Sequence, residues 1–302
     1  MLPPVFFSCF YRLFEFIKEY WYYICEISKL FSYIEQCRYE LGDPIRIAEE
    51  TGENMQAVIL AAGFGERIRS SGGKAPKALL EVGGRSIIDY LLDFLTADPG
   101  IKTIHVRTNA LYYPAFKEWL KGCKFMGRVE LSSNGVLSPH GKLGAVADLE
   151  DHCSKKAVKE DLIVAAGDNI FDFSITPFLD FCKETDGDVV AVKENRNVKT
   201  LTEGGVVVVT SNDRIIDFEE KPQKPKSQLY ALPLYRLSED TISCLKKFLV
   251  NGQDTDHLGS FLAWSYRRRP LFAYRVNGER YHVTDPASYK KIRSLFEKRV
   301  RT

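Results

Sequence analysis

No stretch of this 302-residue chain approaches the ~18 consecutive apolar residues that a bilayer span needs, which excludes a membrane-spanning helix. The N-terminus lacks the basic start, clean apolar core and small-residue cleavage site of a secretory signal. Charge of either sign is not in excess. Lys and Arg number 42 against 40 Asp and Glu, a net +2 that gives no reason to invoke nucleic acid. The run Arg267-Arg268-Arg269 is short and reads as a solvated helix end. The seven cysteines contain no Cys-x-x-Cys spacing and are odd in number, so they read as reduced, mostly buried thiols of a cytoplasmic protein. The five histidines offer no metal-binding pair at helical spacing, and there is no internal repeat or low-complexity tract. With 45% hydrophobic and 27% charged residues, the chain has the composition of an ordinary globular protein of one large or two smaller domains.

Residues 1–54 differ from the rest. They hold 13 of the 37 aromatic residues before position 40, interrupted by charges at Arg12, Glu15, Lys18, Glu19, Glu26 and Lys29. This segment is expected to form one or two amphipathic helices through about Leu41, or to be mobile, outside a domain spanning 55–302. Met55 directly precedes the first strand, and translation from Met55 is one reading of the break.

The domain reads as α/β. Ala57-Val58-Ile59-Leu60-Ala61-Ala62 is an apolar run suited to a strand buried on both faces. Ser86-Ile87-Ile88-Asp89 has a capping-box pattern, and Ile87, Ile88, Leu91, Leu92 and Leu95 then recur at helical spacing up to Pro99-Gly100. Strands are expected at 104–108, 162–166 and 189–192, and a helix at 113–120. Thr176-Pro177 fits an N-cap with proline at the first helical position. Alternation of strands and helices predicts a crossover-connected sheet. The later part is mixed: a hairpin over 206–219 with its turn at Ser211-Asn212-Asp213, helices over 258–268 and 286–299, and a strand over 271–276.

The first apolar run ends at once in Gly63-Phe64-Gly65-Glu66-Arg67, and Pro76-Lys77 follows. Two glycines allow a tight turn whose N–H groups can approach a ligand closely. Arg67 and Lys77 add two cations, an arrangement suited to a nucleoside triphosphate. The P-loop is excluded because Gly73-Lys74-Ala75 lacks the final Ser/Thr, and the dinucleotide fingerprint because its third glycine is Ile68. Asp168, in Ala166-Gly167-Asp168-Asn169, follows a buried strand, where a carboxylate can hold Mg²⁺ against phosphate oxygens or simply cap a turn.

Together these parts resemble the sugar-1-phosphate nucleotidylyltransferases, most of all the glucose-1-phosphate thymidylyltransferase branch, over residues 56 to about 290. The resemblance implies a Rossmann-like mixed, mainly parallel sheet flanked by helices, of the nucleotide-diphospho-sugar transferase type. It implies Arg67 and Lys77 as catalytic cations and Leu60, Ala62, Gly63 and Gly65 as nucleotide contacts. Asn134 (in Ser133-Asn134-Gly135) and Gly144 (in Leu143-Gly144-Ala145) would flank the base, and Asp168 would hold Mg²⁺. In Phe218-Glu219-Glu220-Lys221-Pro222, Glu220 would accept from sugar hydroxyls and Lys221 would meet the sugar phosphate, with Gly205 letting the sugar lie against the backbone. The implied partners are a nucleoside triphosphate and a sugar 1-phosphate. A homo-oligomer is left open, as are the base and the sugar.

Two departures stand out. His282 occupies the place of the family's second metal-binding aspartate, with Asp285 nearby in an N-cap-like Asp-Pro, and Pro233 replaces a usual glycine. Imidazole is a poor ligand for Mg²⁺. They motivate a rival reading, a weakly active or inactive homologue that binds nucleotide and regulates a partner. A cytidylyltransferase acting on phosphocholine is a further alternative.

Overall fold

The computed structural model describes residues 55–69, 75–252 and 254–301. The aromatic-rich residues 1–54, and the helices expected there, lie outside the described residues.

Strand β1 (Met55–Leu60) is the first apolar run, and Ala57, Val58 and Ile59 are fully buried. Helix α1 (Ile87–Thr96) begins at the expected capping box, where Asp89 accepts from the Ser86 N–H at 3.2 Å and from Ser86 Oγ at 2.6 Å. Then follow β2 (Ile101–Thr108), α2 (Tyr113–Lys121), β3 (Val129–Ser133), α3 (Ala145–Lys156) and β4 (Leu162–Ala166). β1 pairs in parallel with β2 and with β4, and β2 pairs in parallel with β3. Parallel neighbours require crossovers, and α1, α2 and α3 supply them.

After β4 come β5 (Asn169–Asp172) and α4 (Thr176–Glu184). Thr176 was expected as the N-cap but is itself the first helical residue, preceded by Ile175 without a side-chain cap. The shift to Pro177 at the second position is tolerated because first-turn N–H groups have no intrahelical acceptor. The chain continues through β6 (Asp188–Glu194), the antiparallel hairpin of β7 (Gly205–Val209) and β8 (Ile215–Glu220), and β9 (Leu229–Leu237). β9 pairs antiparallel with β4, β6 and β7 and so joins the two halves. The pairing of β9 with β6 shifts register between Ala231 and Tyr235. Pro233 falls inside that irregularity, where the N–H that proline lacks is not needed by the ladder.

Helix α5 (Leu258–Ser265) ends before the expected position 268, leaving Arg267–Arg269 in the turn that leads to β10 (Leu271–Arg275). β10 pairs in parallel with β6. The last elements are β11 (Glu279–His282), antiparallel to β5, and α6 (Pro286–Arg301). Asp285 caps α6, accepting from the Ser288 N–H at 2.8 Å.

The result is a nine-stranded mixed sheet in the order β8-β7-β9-β4-β1-β2-β3, with β6 also on β9 and β10 on β6. It is parallel through β4-β1-β2-β3 and flanked by helices. Side chains of β1 alternate between two cores. Ala57 and Ile59 pack in one with Leu91 and Leu92 of α1, and Val58 packs in the other with Val146 and Leu149 of α3. Among the described residues no helix is long and apolar enough to cross a membrane.

Candidate active site

A cleft of about 570 Å³ opens at the carboxyl ends of β1 and β4, the place where open α/β sheets bind ligands. Its first wall is the loop after β1. The carbonyls of this loop are tied from behind: Asn109 Nδ2 donates to Ala62 O and the Tyr112 hydroxyl to Phe64 O, both at 2.9 Å. The N–H groups of Ala62, Gly63, Phe64 and Gly65 donate to no described acceptor. A short loop held this way presents amides to an anion. Gly65 has φ +62°, and a Cβ there would meet Lys77 Cγ at 3.3 Å, so glycine allows both the turn and the passage of the lysine across it.

Lys77 follows Pro76 in a single 3-10 turn and reaches Asp168, Nζ to Oδ2 3.4 Å. His282 Nε2, at the end of β11, lies 3.2 Å from the same oxygen. The other oxygen, Oδ1, accepts from Asn169 Nδ2 at 2.9 Å. Burial opposes the charge on Asp168, but His282, Lys77 and Arg280 together hold its carboxyl well below the usual range. It is therefore a persistent anion among cations.

The opposite wall comes from β7, β8, β9 and α5. Gly205 and Glu220 face each other across the β7–β8 hairpin. A side chain at 205 would press on Phe218, so this backbone stays open to the cleft. The Glu220 carboxyl lies in the space a Cβ of Gly259 would take, and burial raises it above the ordinary range despite His257 and Lys221 nearby. At the far end of the cleft, Asn134 follows β3. Its Nδ2 donates to Asp148 Oδ1 at 2.7 Å and its Oδ1 accepts from Val136 N–H at 2.9 Å, which locks the carboxamide. Gly144 precedes α3 with φ +88°, and any side chain there would strike the backbone of Thr255.

A strand-loop amide cradle, two cations, a carboxylate and a glycine-lined second wall in one cleft have the makings of a phosphate-transfer site. The family model described as nucleotidyl transferase matches residues 56–266. The chain belongs to the nucleotidyl transferase family. It is 26% identical over 225 residues to the bifunctional protein GlmU of Methanocaldococcus jannaschii, covering 74% of this chain and 50% of that one. It is 29% identical over 245 residues to the glucose-1-phosphate adenylyltransferase of Mycoplasma mobile, covering 75% and 62%. The chain thus spans 50% to 62% of the length of these curated relatives. Among solved structures, a UDP-glucose pyrophosphorylase complexed with UDP-glucose superposes with a TM-score of 0.70 at 16% identity, over 81% of this chain and 99% of that one. That likeness establishes the fold.

Leu60, Ala62, Gly63, Gly65, Arg67, Lys77, Asn134, Gly144, Asp168, Gly205 and Glu220 all line the one cleft. Lys221 does not. It has φ +50°, and its Nζ lies 2.5 Å from His257 Nε2, which Asp254 orients through Nδ1 at 2.8 Å. His282 and Pro233 line the cleft, whereas Asp285 is occupied as the cap of α6.

Sequence reasoning passed over Asp148, Tyr230, His257 and Arg280, which also line it. Asp148 looks like any first-turn helix acid, and Tyr230 and Arg280 meet only through the pairing of distant strands. Among the described residues no group of three or more His, Cys, Asp or Glu side chains gathers as a metal cage. One carboxylate facing a phosphate cradle still fits Mg²⁺, which usually takes one or two protein carboxylates and completes its shell with water and substrate phosphates.

Proposed function

We propose that the protein transfers a nucleotidyl group from a nucleoside triphosphate to a sugar 1-phosphate, giving a nucleotide sugar and pyrophosphate. The observation that carries this reading is the cradle of four N–H groups with no acceptor among the described residues, beside Lys77 and Asp168 and facing the Gly205–Glu220 wall across one cleft. The cradle and Arg67 hold the triphosphate, while Asn134 and Gly144 flank the base. An oxygen of the acceptor phosphate attacks the α-phosphorus in line, the bond from that phosphorus to the bridging oxygen of the β-phosphate breaks, and pyrophosphate leaves. No covalent enzyme intermediate is needed, so positioning and charge neutralisation by Arg67 and Lys77 supply the rate. Asp168 is the residue that would hold Mg²⁺, whose charge when bound offsets that of the phosphate oxygens. Gly205 and Glu220 orient the sugar. We place this chemistry in the cytoplasm, where thiols stay reduced.

A screen of sugar 1-phosphates against the four common triphosphates and dTTP, read by pyrophosphate release, tests the reading. Acceptor-dependent release is expected for at least one pair. Release that ignores the acceptor, or none with any pair, would reject it.

Two variants probe the walls. Gly259→Ala puts a methyl group where the Glu220 carboxyl lies, so the acceptor KM is expected to rise roughly tenfold, the worth of one hydrogen bond to a charged group. Alanine's better helix propensity offsets the strain, and the thermal transition should move little. An unchanged acceptor KM would detach Glu220 from the sugar. His282→Asp sets a second carboxylate beside Asp168, so half-maximal activity is expected at a several-fold lower Mg²⁺ concentration. A Mg²⁺ titration superposing on wild type would place His282 outside the metal's surroundings.

A further inference from the structure

Arg280 faces the cleft from β11. Among the described residues no carboxylate lies within ion-pair distance of its guanidinium. Its hydrogen bonds run to neutral groups instead. Nε donates to Asn169 Oδ1 at 2.6 Å, and Nη1 donates to the Tyr230 hydroxyl at 2.7 Å. Asn169 is fully buried and also donates to Asp168, so the guanidinium is fastened to the same strand end as that carboxylate. Tyr230 is itself seated over Gly204, where any side chain would collide with its ring. These contacts fix the plane of the guanidinium and leave Nη2 without a described partner.

The sheet order says which side of the cleft this is. β4, which leads to Asp168, stands between β1 with the glycine loop and β9 with Tyr230. Arg280 is tied toward β9, and hence toward the wall of Gly204, Gly205 and Glu220. A guanidinium fixed through Nε and Nη1, with Nη2 left toward the cleft, suits an anion, and its fork matches two oxygens of a phosphate. Asp168 acts on this cation only at longer range, so the guanidinium's free edge has no anion of its own among the described residues. Lys221 is differently placed, outside the cleft lining and against His257.

We propose that Arg280 binds the phosphate of the acceptor and that Asn169 and Tyr230 are its positioning residues. This rests on the nucleotidyl-transfer reading and names the acceptor end of the same site.

Calorimetric binding to the full chain tests it without turnover. The probes are the 1-phosphates of glucose, galactose, mannose and N-acetylglucosamine, the matching free sugars, and inorganic tripolyphosphate for the donor side. Wild type is expected to bind at least one sugar phosphate and not its free sugar. Arg280→Gln should weaken that sugar phosphate at least tenfold and leave tripolyphosphate within about twofold, with Arg280→Lys in between. Tyr230→Phe, which removes only the hydroxyl, should weaken the same ligand several-fold at an unchanged thermal transition. It becomes the deciding variant if Arg280→Gln loses its transition. Three results would overturn the proposal: equal sugar-phosphate binding by wild type and the deciding variant, a loss falling on tripolyphosphate instead, or no binding of any phosphomonoester by wild type. Failure of the nucleotidyl-transfer reading would show separately, as absence of pyrophosphate release from a wild-type protein that still binds sugar phosphate through Arg280.

Discussion

Asp168→Asn is expected to cut turnover by on the order of 10²-fold or more while leaving the thermal transition in place. The two side chains have the same shape, so packing at the end of β4 is kept. What changes is charge. Oδ2 now meets Lys77 at 3.4 Å and His282 at 3.2 Å, and an amide there would offer neither a Mg²⁺ ligand nor a counter-charge for Lys77 and Arg280. The check is steady-state turnover as a function of Mg²⁺, with calorimetric unfolding of the same sample. Unchanged turnover with wild-type Mg²⁺ dependence would remove Asp168 from the metal's role.

Acid should destabilise the fold by about 3 kcal/mol between pH 6.5 and 4, through His152 on α3. Its ring is 1% exposed, Nε2 has no hydrogen-bond partner, and the ring of His105 lies 4.8 Å away. Burial first, then His105, Arg107 and Lys156, push the imidazole from 6.5 down to about 4. The unfolded chain therefore takes up a proton below pH 6.5 that the folded chain refuses until about pH 4. The corresponding stability is complete above 6.5 and is lost progressively as pH falls toward 4. His105 is lowered in the same sense by its own burial. His152→Phe, which has no proton to gain, should flatten this part of the stability curve in denaturant titrations at pH 7, 5.5 and 4.5. A variant with the wild-type slope would move the acid sensitivity elsewhere.

Much of the first wall of the cleft was legible in the sequence because it is local. An apolar run, two glycines, Arg67 and Lys77 lie within one strand-loop segment, and Asp168 ends the next buried strand. The hairpin of β7 and β8 was legible for the same reason. Asp213, in its turn, takes the left-handed conformation with φ +57° that suits aspartate. The opposite wall was harder. β9 carries Pro233, a residue that argues against a central strand, and only the register shift against β6 shows how the sheet accommodates it. The β5–β11 pair joins residues far apart in sequence, so nothing local marks Arg280 as a neighbour of Asn169 and Tyr230. The resemblance directed attention to Lys221, but the preference of that ammonium for His257 depends on a fold contact that spacing cannot reveal. His282 was legible as a departure, and its placement at Asp168 became clear only from three dimensions.

The most direct measurement follows the label from a triphosphate carrying ³²P at the α-position, with an acceptor that supports turnover. Nucleotidyl transfer predicts that the label moves into a nucleotide sugar, one for each pyrophosphate released, and only when acceptor is present. Label appearing in free nucleoside monophosphate or diphosphate, or pyrophosphate forming without a labelled sugar product, would contradict it.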